Sequence, residues 1–415
     1  MIHRVRGTRD ILDTRLFDYA VTTIAAYVKK YHFTPIMTPV LESVDLFKRS
    51  LGTETDVVSK EMFIVSSSSG QSDESICLRP EATASTIRAF LEEGVQTTPW
   101  KVFSWGPMFR YERPQKGRFR QFNQFNLECI GSASVAQDAQ FITMLDRIFN
   151  QQFALDSYGL HINFLGTPEE RKAFRGTLLT YLDGQSGLCQ TCQVRKTTNI
   201  LRVFDCKQDA CRAICESAPT LEQAFGETSR TEWQQLRNYL EELSVSFTVN
   251  TRLVRGLDYY NKTVFEFVSS DLGSQTAFCG GGRYDHLVSQ IGGKEDQPSI
   301  GAAIGLDRLV MILEAHQEKL MLPQDPALYV VIPLSDEQHG LALQCVDSLI
   351  YAGYTVELLC DGSVKSMMRK ANKLGAASVL IIGPDEQAAG TVTVKNMQSS
   401  DIQVLKLTDL PKFLK

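Results

Sequence analysis

The chain has 415 residues, which is long for one domain and predicts two or three. Hydrophobic residues make up 43% of it and charged residues 22%, an average globular composition that excludes a mostly disordered, collagenous or membrane-spanning protein. The formal charge of −5 excludes attraction of nucleic acid by bulk charge, so such binding would need a local basic patch. We expect a cytoplasmic protein, because no apolar signal core follows the first basic residues.

The amino-terminal part predicts a helix and then extended segments. Apolar residues repeat at helical spacing from Phe17 to Val28, and two prolines bracket the extended stretch TPIMTPVLE at 34–42. Residues 61–82 predict two strands that are joined by the serine-rich loop SSSSGQSDES. A helix is then predicted to begin at Pro80, with the proline in its first position.

Residues 101–120 are the candidate basic patch. They hold six lysines or arginines against one glutamate, a local charge of +5. Aromatic residues interleave with these charges, which favours a half-buried hairpin over a plain solvated segment. Extended segments are therefore predicted at 101–112 and 119–130, on either side of a basic turn at 113–117.

The composition changes near residue 166. A capping box at Thr167–Glu170 opens a helix, and residues 168–245 are predicted to be mostly helical. We interpret them as an inserted subdomain, because strand-like, glycine-rich sequence resumes at 247. After the linker LPQDP, alternating strands and helices predict a small α/β domain over 326–415.

Five of the ten cysteines lie in the predicted insertion, between residues 189 and 215. Cys189 and Cys192, followed by Cys206 and Cys211, have the look of a four-thiolate zinc knuckle. The second pair is spaced more widely than usual, so the prediction is reduced, buried thiols and no metal, with zinc left as the alternative.

Several nucleotide-binding and hydrolase motifs are absent from the sequence, including the P-loop, the dinucleotide-binding glycine motif and H-E-x-x-H. Four arginines instead stand in distinctive settings. Arg110 and Arg118 flank the basic turn, Arg255 precedes GLDYY, and Arg308 opens a helix after a glycine-rich strand. Their planar, permanently charged groups suit a nucleoside triphosphate. The polar residues that suit the ammonium group of a second substrate are Glu81, Gln124 and Glu128.

Five stretches of the sequence carry a family resemblance. PVLESVDLFKRSLG resembles the region after motif 1 of class II aminoacyl-tRNA synthetases. FSWGPMFRYERPQKGRFRQFNQFNLE resembles motif 2, and IGAAIGLDRLVMIL resembles motif 3. LVRGLDYYNKTVFEF and GGGRYDHLV resemble stretches peculiar to the histidine-specific family. On these residues the chain resembles the histidyl-tRNA synthetase family over nearly its whole length.

The resemblance implies both a fold and a reaction. The fold would be an α+β class II catalytic domain at 1–325, an antiparallel sheet flanked by helices, with the helical insertion at 168–245 and an anticodon-binding α/β domain at 326–415. The reaction would attach L-histidine to tRNA(His) through a histidyl-adenylate, with ATP as substrate, Mg2+ as cofactor, and AMP and pyrophosphate released. The family also implies a homodimer with motif 1 at its interface. Charge adds nothing to the anticodon assignment, since residues 326–415 hold eight basic and nine acidic residues.

The resemblance also assigns roles to individual residues. Arg110 would hold the α-phosphate and the substrate carboxylate, and Arg118 and Arg308 would hold the γ-phosphate end. Arg255 would stabilise charge on the α-phosphate as the carboxylate attacks. The implied histidine-binding residues are Glu81, Thr83, Arg110, Gln124, Glu128, Arg255, Tyr259 and Tyr260. Those implied to contact the tRNA acceptor end are Arg113, Gln115 and Lys116.

Two positions depart from the family pattern, and three other interpretations stay open. Ala82 replaces a glycine, which we expect the site to tolerate, and Asn126 stands where a small residue is expected. The alternatives are the synthetase-like regulatory subunit of ATP phosphoribosyltransferase, a non-enzymatic nucleic-acid-binding scaffold, and a class II synthetase for another amino acid. The regulatory subunit typically lacks the carboxy-terminal domain and the catalytic arginines, both of which this sequence has.

Overall fold

The computed structural model describes residues 2–53, 55–66, 75–273, 276–320 and 322–413. The chain divides into two compact units, with unit 1 ending at Leu322 and unit 2 beginning at Pro323, three residues before the predicted boundary. Most of the predicted serine-rich loop lies at 67–74, outside the described residues. Among the described helices, none is long and apolar enough to cross a membrane.

Unit 1 is built on one large sheet and one small sheet. The large sheet has the order β1-β5-β6-β11-β10-β9-β7-β8 and is antiparallel except at its two end pairs. The small sheet has the order β2-β4-β3. The described strands are β1 (Thr34–Pro35), β2 (Leu41–Ser43), β3 (Phe63–Val65), β4 (Ile76–Leu78), β5 (Trp100–Phe109), β6 (Gln121–Ile130), β7 (Tyr158–Phe164), β8 (Thr248–Val249), β9 (Asn261–Ser269), β10 (Ala277–Arg283) and β11 (Ser299–Gly305).

Helices flank this sheet, as predicted. In unit 1 they are α1 (Arg15–Lys29), α2 (Val44–Leu51), α3 (Thr83–Glu92), α4 (Val135–Arg147), α5 (Pro168–Asp183), α6 (Gln190–Thr198), α7 (Asp209–Glu216), α8 (Glu227–Glu242), α9 (Leu287–Gln290) and α10 (Leu306–Ala315). The stretch predicted as an insertion contains α5 to α8, with short 3₁₀ turns at Ile200–Asp205 and Leu221–Ala224.

The two faces of the large sheet have different surroundings, because side chains alternate along each strand. On β9, the rings of Phe265 and Phe267 contact those of Phe141 and Phe149 in the helical layer. Glu266 lies between the two phenylalanines and therefore points to the opposite face. The helical layer thus covers an apolar face, and polar side chains project from the other.

One predicted helix begins later than expected. The expected start was Pro80, but α3 begins at Thr83. The Glu81 carboxyl accepts hydrogen bonds from the backbone nitrogens of Thr83 and Ala84, at 2.7 and 2.9 Å. These donors are free at a helix start, so the glutamate, and not the proline, determines where α3 begins.

Unit 2 is the predicted α/β domain with two additional strands. Its sheet has the order β13-β12-β14-β15-β16, parallel over the first three strands and antiparallel over the last two. The sequence analysis missed β15 and β16, although β15 alternates polar and buried residues. The elements are β12 (Leu328–Pro333), α11 (His339–Tyr351), β13 (Thr355–Leu358), α12 (Val364–Lys373), β14 (Ser378–Ile382), α13 (Pro384–Ala389), β15 (Thr391–Asn396), β16 (Ile402–Lys406) and α14 (Leu410–Phe413).

A buried ion pair connects the sheet of unit 1 to its helical layer. Arg283, at the end of β10, and Asp138, on α4, have side chains that are 2% and 1% exposed. The Arg283 Nε donates to Asp138 Oδ2 at 3.0 Å, and the Thr263 hydroxyl donates to the same oxygen at 2.8 Å. Arg283 also donates to Asp285 and to the carbonyl of Ser132, so without Asp138 the guanidinium keeps these partners but loses its Nε contact.

We therefore predict that Asp138→Ala destabilises unit 1 by about 3 kcal/mol, because it leaves Arg283 buried with incomplete pairing. Asp156→Ala, which breaks the exposed pair with Lys319, is the matched control and should leave the unfolding free energy nearly unchanged, because solvent screens this pair. Urea unfolding of both variants measures the difference. Equal losses in the two variants would contradict the role given to the buried pair.

Candidate active site

A cavity of about 320 Å³ opens on the polar face of the large sheet. It brings together most of the residues predicted from the sequence, drawn from the strands of motif 2, the start of α10 and the loop before β9. The predicted residues that line it are Glu81, Thr83, Arg110, Arg118, Gln124, Arg255, Tyr259, Tyr260 and Arg308. The predicted residues that do not line it are Arg113, Gln115, Lys116 and Glu128.

Arg255 lies in the middle of this cavity and is held from two sides. Its guanidinium pairs with Glu266 and lies 5.9 Å from the centre of the Tyr260 ring. A Cβ at Gly280 would lie 2.6 Å from Arg255 Nη1, so β10 needs a residue without a side chain there. Burial by itself would lower the pKa of Arg255, but Glu266 outweighs that effect and the pKa is raised. The side chain therefore stays a fixed cation.

Arg110 and Arg118 converge at one end of the cavity. The Arg110 Nε donates to the Pro80 carbonyl at 2.9 Å, and its guanidinium lies 5.4 Å from the Phe122 ring centre. Arg118 pairs with Glu112. Burial lowers the pKa of both arginines, and the charge of Arg110 lowers that of Arg118 further.

Arg308 completes the positive end of the cavity. Its Nε donates to the carbonyl of Gly117 at 2.9 Å, and its Nη1 donates to that of Ala277 at 2.6 Å. Burial lowers its pKa most, and the charges of Arg118 and Arg110 lower it further. Three mutually repelling guanidinium groups in one pocket are an arrangement that an anion stabilises.

Glu81 and Thr83 form an acidic part of the cavity wall, with the charge of Arg110 acting on the Glu81 carboxyl. Glu81 is 4% exposed, and burial raises the pKa of its carboxyl even though two backbone amides donate to it. Between the two residues, Ala82 has φ −111°, a value that any L-residue adopts. The alanine that replaces the family glycine therefore introduces no strain, in agreement with the expectation.

Glu128 lies behind Thr83, one layer below the cavity surface. The Thr83 hydroxyl donates to Glu128 Oε1 at 2.7 Å, and the Tyr284 hydroxyl donates to Oε2. A Cβ at Gly301 would collide with this carboxyl, so β11 has to carry a glycine at that point. Burial raises the pKa of Glu128 to about 8.

Three buried polar atoms at the cavity have no hydrogen-bond partner among the described residues. They are Gln124 Oε1, Asn126 Nδ2 and Arg255 Nε. Unpaired buried groups are unfavourable, so a ligand in the cavity is their natural partner. In the sequence, Asn126 stands out only because a small residue is expected at its position. The structure places its amide in the cavity wall.

The basic turn that follows β5 is a short hairpin at the edge of this cavity. Gln115 and Arg118 exchange backbone hydrogen bonds of 3.1 and 2.9 Å, which close the turn. Arg113, Gln115 and Lys116 point outward and are exposed, whereas Gly117 and Arg118 line the cavity. The predicted tRNA-contacting residues are therefore next to the ligand-binding residues and separate from them.

Comparison with known proteins identifies the family. Residues 63–317 match the tRNA synthetase class II core domain (G, H, P, S and T), and residues 329–415 match an anticodon binding domain. The histidine–tRNA ligase of Nitratidesulfovibrio vulgaris strain Hildenborough is 41% identical over 411 residues, 97% of this chain and 96% of the relative. The chain belongs to the histidine–tRNA ligase family.

Two further comparisons agree with this assignment. The histidine–tRNA ligase of Solidesulfovibrio magneticus is 40% identical over 420 residues, 100% of this chain and 97% of the relative. The crystal structure of the apo histidyl-tRNA synthetase of S. aureus has a TM-score of 0.80 and 30% identity, with 100% of this chain and 99% of that one covered. The predicted class II fold with a carboxy-terminal anticodon-binding domain is thereby confirmed.

The structure adds residues to the site of this histidine–tRNA ligase that the sequence analysis missed. Glu266 and Glu112 pair with Arg255 and Arg118, and Arg202 reaches the cavity from the insertion. Glu266 could have been found, since it is the one charged residue in the alternating stretch VFEFV. Tyr284 lies in the family-specific stretch GGGRYDHLV, but nothing local indicates that its hydroxyl reaches β6.

The cysteines of the insertion differ from the expectation of separate buried thiols. The sulfur atoms of Cys189, Cys192, Cys206 and Cys211 all lie within 4.8 Å of one another. Only Cys192 and Cys211 are buried, and the other two are partly exposed. The spacing of the two pairs predicts such a cluster only as the alternative, and the structure brings the pairs together where the 3₁₀ turn at Ile200–Asp205 connects them.

The raised pKa of Glu128 predicts a specific pH dependence of stability. The carboxyl stays protonated in the folded chain up to about pH 8, whereas in the unfolded chain it ionises near its ordinary value of 4.5. The unfolded state therefore binds fewer protons between these values, and the folded state loses stability as the pH rises through them. Glu128→Gln removes this titration.

We expect the melting temperature of Glu128→Gln, relative to the natural protein, to rise between about pH 5 and pH 8 and to level off above that range. Glu314→Gln, at an exposed position on α10, is the control and should give a flat difference. Thermal unfolding at several pH values measures both. A flat difference for Glu128→Gln as well would mean that Glu128 is ionised in the folded protein.

Proposed function

We propose that this chain attaches histidine to tRNA in two steps at the cavity. Histidine and ATP would first form histidyl-adenylate with release of pyrophosphate, and histidine would then pass to the tRNA with release of AMP. The observation that carries this proposal is the polarity of the cavity. Its arginine-rich end suits a triphosphate, and the end with Glu81, Thr83 and Gln124 suits an amino acid's ammonium group.

Arg110, Arg118 and Arg308 are the proposed phosphate-binding residues. The charge of Arg110 lowers the pKa of Arg118, and the charges of both lower the pKa of Arg308. A bound triphosphate would relieve this repulsion. Arg118 and Arg308 are proposed to hold the γ-phosphate end. Arg110, which lies closer to Glu81, is proposed to hold the α-phosphate and the histidine carboxylate.

Arg255 is the proposed catalytic cation. The histidine carboxylate would attack the α-phosphate directly, so the reaction needs no nucleophile from the protein. Arg255 is already fixed by Glu266, and its Nε is unpaired, so it can donate to charge that develops on the phosphate without rearranging. Positioning and charge stabilisation together would account for the rate.

The proposed imidazole site is formed by Tyr259, Tyr260 and the residues behind them. The two phenol rings lie 4.5 Å apart and are nearly buried. Glu128 is proposed to act at the floor of this site, where it fixes the hydroxyls of Thr83 and Tyr284. An apolar side chain in place of imidazole would leave Gln124 Oε1 and Asn126 Nδ2 in the cavity without partners, which supports selectivity for a polar side chain such as imidazole.

Mg2+ is proposed to arrive with ATP. Within the described part of the chain, no group of three or more acidic or imidazole side chains in the cavity is close enough to hold a metal ion. Among the carboxylates near the phosphate end, Glu112 and Glu266 are paired with arginines, and Glu61 faces Arg110 and Arg118. Such a site suits an ion that is held mainly by phosphate oxygens and water, as Mg2+ commonly is.

We also propose how the tRNA and a second subunit bind. The exposed side chains of Arg113, Gln115 and Lys116 would contact the acceptor end, and residues 329–415 would contact the anticodon. A homodimer is proposed through the part of the chain at 37–41, where Met37 is 95% and Leu41 is 52% exposed. The cytoplasmic location stays a prediction.

The test of this function is amino-acid-dependent exchange of pyrophosphate into ATP, run separately with all twenty amino acids. Exchange is expected with histidine alone, because the neutral imidazole is a planar ring beside Tyr259 and Tyr260 that donates a hydrogen bond from one nitrogen and accepts one at the other. Charging of tRNA(His) by the same preparation tests the second step. Exchange with another amino acid, or histidine binding without any exchange, would refute the proposal.

Arg255→Ala is predicted to lower the exchange kcat by about 100-fold or more, with a much smaller effect on histidine affinity, because its charge is needed mainly in the transition state. Arg212→Ala, which removes an exposed arginine of the insertion, is the control. Steady-state exchange gives kcat, and calorimetry gives the histidine Kd. A variant with normal kcat and weak histidine binding would show that Arg255 only binds the substrate.

A further inference from the structure

Four cysteine sulfurs converge at one point of the insertion. They come from three places in the chain: Cys189 and Cys192 at the start of α6, Cys206 after the 3₁₀ turn, and Cys211 in the first turn of α7. The sulfurs of Cys189 and Cys206 are 3.8 Å apart, and all four lie within 4.8 Å of one another. Neither the loop connections nor apolar packing explains why these four sulfur atoms meet.

We propose that these four cysteines bind a structural zinc ion. Zinc–thiolate bonds are about 2.3 Å long, so the sulfurs of a tetrahedral site are about 3.8 Å apart. The Cys189–Cys206 separation of 3.8 Å matches that value, and all four sulfurs lie within 4.8 Å of one another, close to what one ion requires. On binding, each thiol would lose its proton, and the four thiolates would form four bonds to the ion.

The local structure favours thiolates at this point. Cys189 caps the amino end of α6 and Cys211 lies near that of α7, where helix dipoles stabilise negative charge. The backbone nitrogen of Cys189 also lies 3.2 Å from the Cys211 sulfur and donates to it. A backbone N–H that donates to a sulfur favours its thiolate form.

The fifth cysteine of the insertion separates this cluster from ordinary buried thiols. Cys215 is buried and donates its S–H to the carbonyl of Val203, at 3.7 Å. It is not part of the cluster of four. A packing role therefore accounts for Cys215, but it does not account for Cys189 and Cys206, which are partly exposed.

The proposed ion would also stabilise the loop that carries Arg255. The segment between the two cysteine pairs contacts this loop: Asn199 Nδ2 donates to Asp258 Oδ1 at 2.8 Å, and Arg202 Nη1 donates to the Gly256 carbonyl at 2.7 Å. Cys192 and Cys206 enclose this segment on either side. Fixing both cysteines on one ion restricts the segment, and through it the path of the chain at Arg255.

Metal analysis of the full-length protein tests the site independently of activity. Protein grown with added zinc should carry about one zinc per chain, and Cys189→Ser and Cys206→Ser should carry less than about a fifth of that. Cys215→Ser is the matched control and should keep the zinc. Exchange with Co2+ should give the absorption of a tetrahedral tetrathiolate site in the natural protein and in Cys215→Ser only.

Three results would overturn the site. The first is equal zinc in all four proteins. The second is natural protein that has no zinc and gives no tetrathiolate spectrum with Co2+. The third is a mass, measured without reductant, that shows these cysteines joined as disulfides.

The effect on the Arg255 loop rests on the proposed function and has its own measurement. Cys189→Ser should lower the histidine-dependent exchange kcat by about tenfold or more, because the loop is positioned less well. Cys189→His, which can still bind zinc, should recover most of the rate. Zinc loss with unchanged exchange would refute the support of the loop and leave the metal site standing, whereas no exchange in the natural protein would refute the proposed function alone.

Discussion

The site depends on β10, a strand that has no side chains where it crosses the middle of the sheet. Gly280 pairs with Glu266 of β9 on one side and Ala303 of β11 on the other, so the neighbouring strands can project polar groups over bare backbone. The Arg255 guanidinium occupies the space that a Cβ at Gly280 would need. The fixed cation, its carboxylate partner and the room for a ligand all follow from this one constraint.

Much of this arrangement could be predicted, because local chemistry determines it. The antiparallel hairpin around the basic turn, the strand–helix pair that contains Arg308 and the order of elements in unit 2 follow from periodicity and turn residues. The arginines were identified as ligand-binding because their number and setting fit an anion better than surface ion pairs. The resemblance then supplied the roles that residue types alone could not give.

Other features depend on contacts between distant segments and left no local pattern. Glu128 was expected to line the cavity, but its carboxyl is buried beneath the cavity surface, where it bonds to Tyr284, 156 residues along the chain. α3 begins later than predicted because the Glu81 carboxyl caps it, and the position of the proline does not indicate this cap. The four cysteines meet only because the chain between them turns back.

The insertion contacts the catalytic loop in a way that affects how variants of that loop can be interpreted. Arg202 donates to the carbonyl of Gly256, and Arg171 donates to that of Tyr260, at 2.6 Å. Both contacts are made to main-chain oxygens, which side-chain substitutions leave in place. Together with the Asn199–Asp258 side-chain bond, these contacts hold the chain at 255–260 without using the side chains of Arg255, Tyr259 or Tyr260. Kinetic losses in variants of Arg255, Tyr259 or Tyr260 can accordingly be assigned to the group removed, and not to a displaced loop.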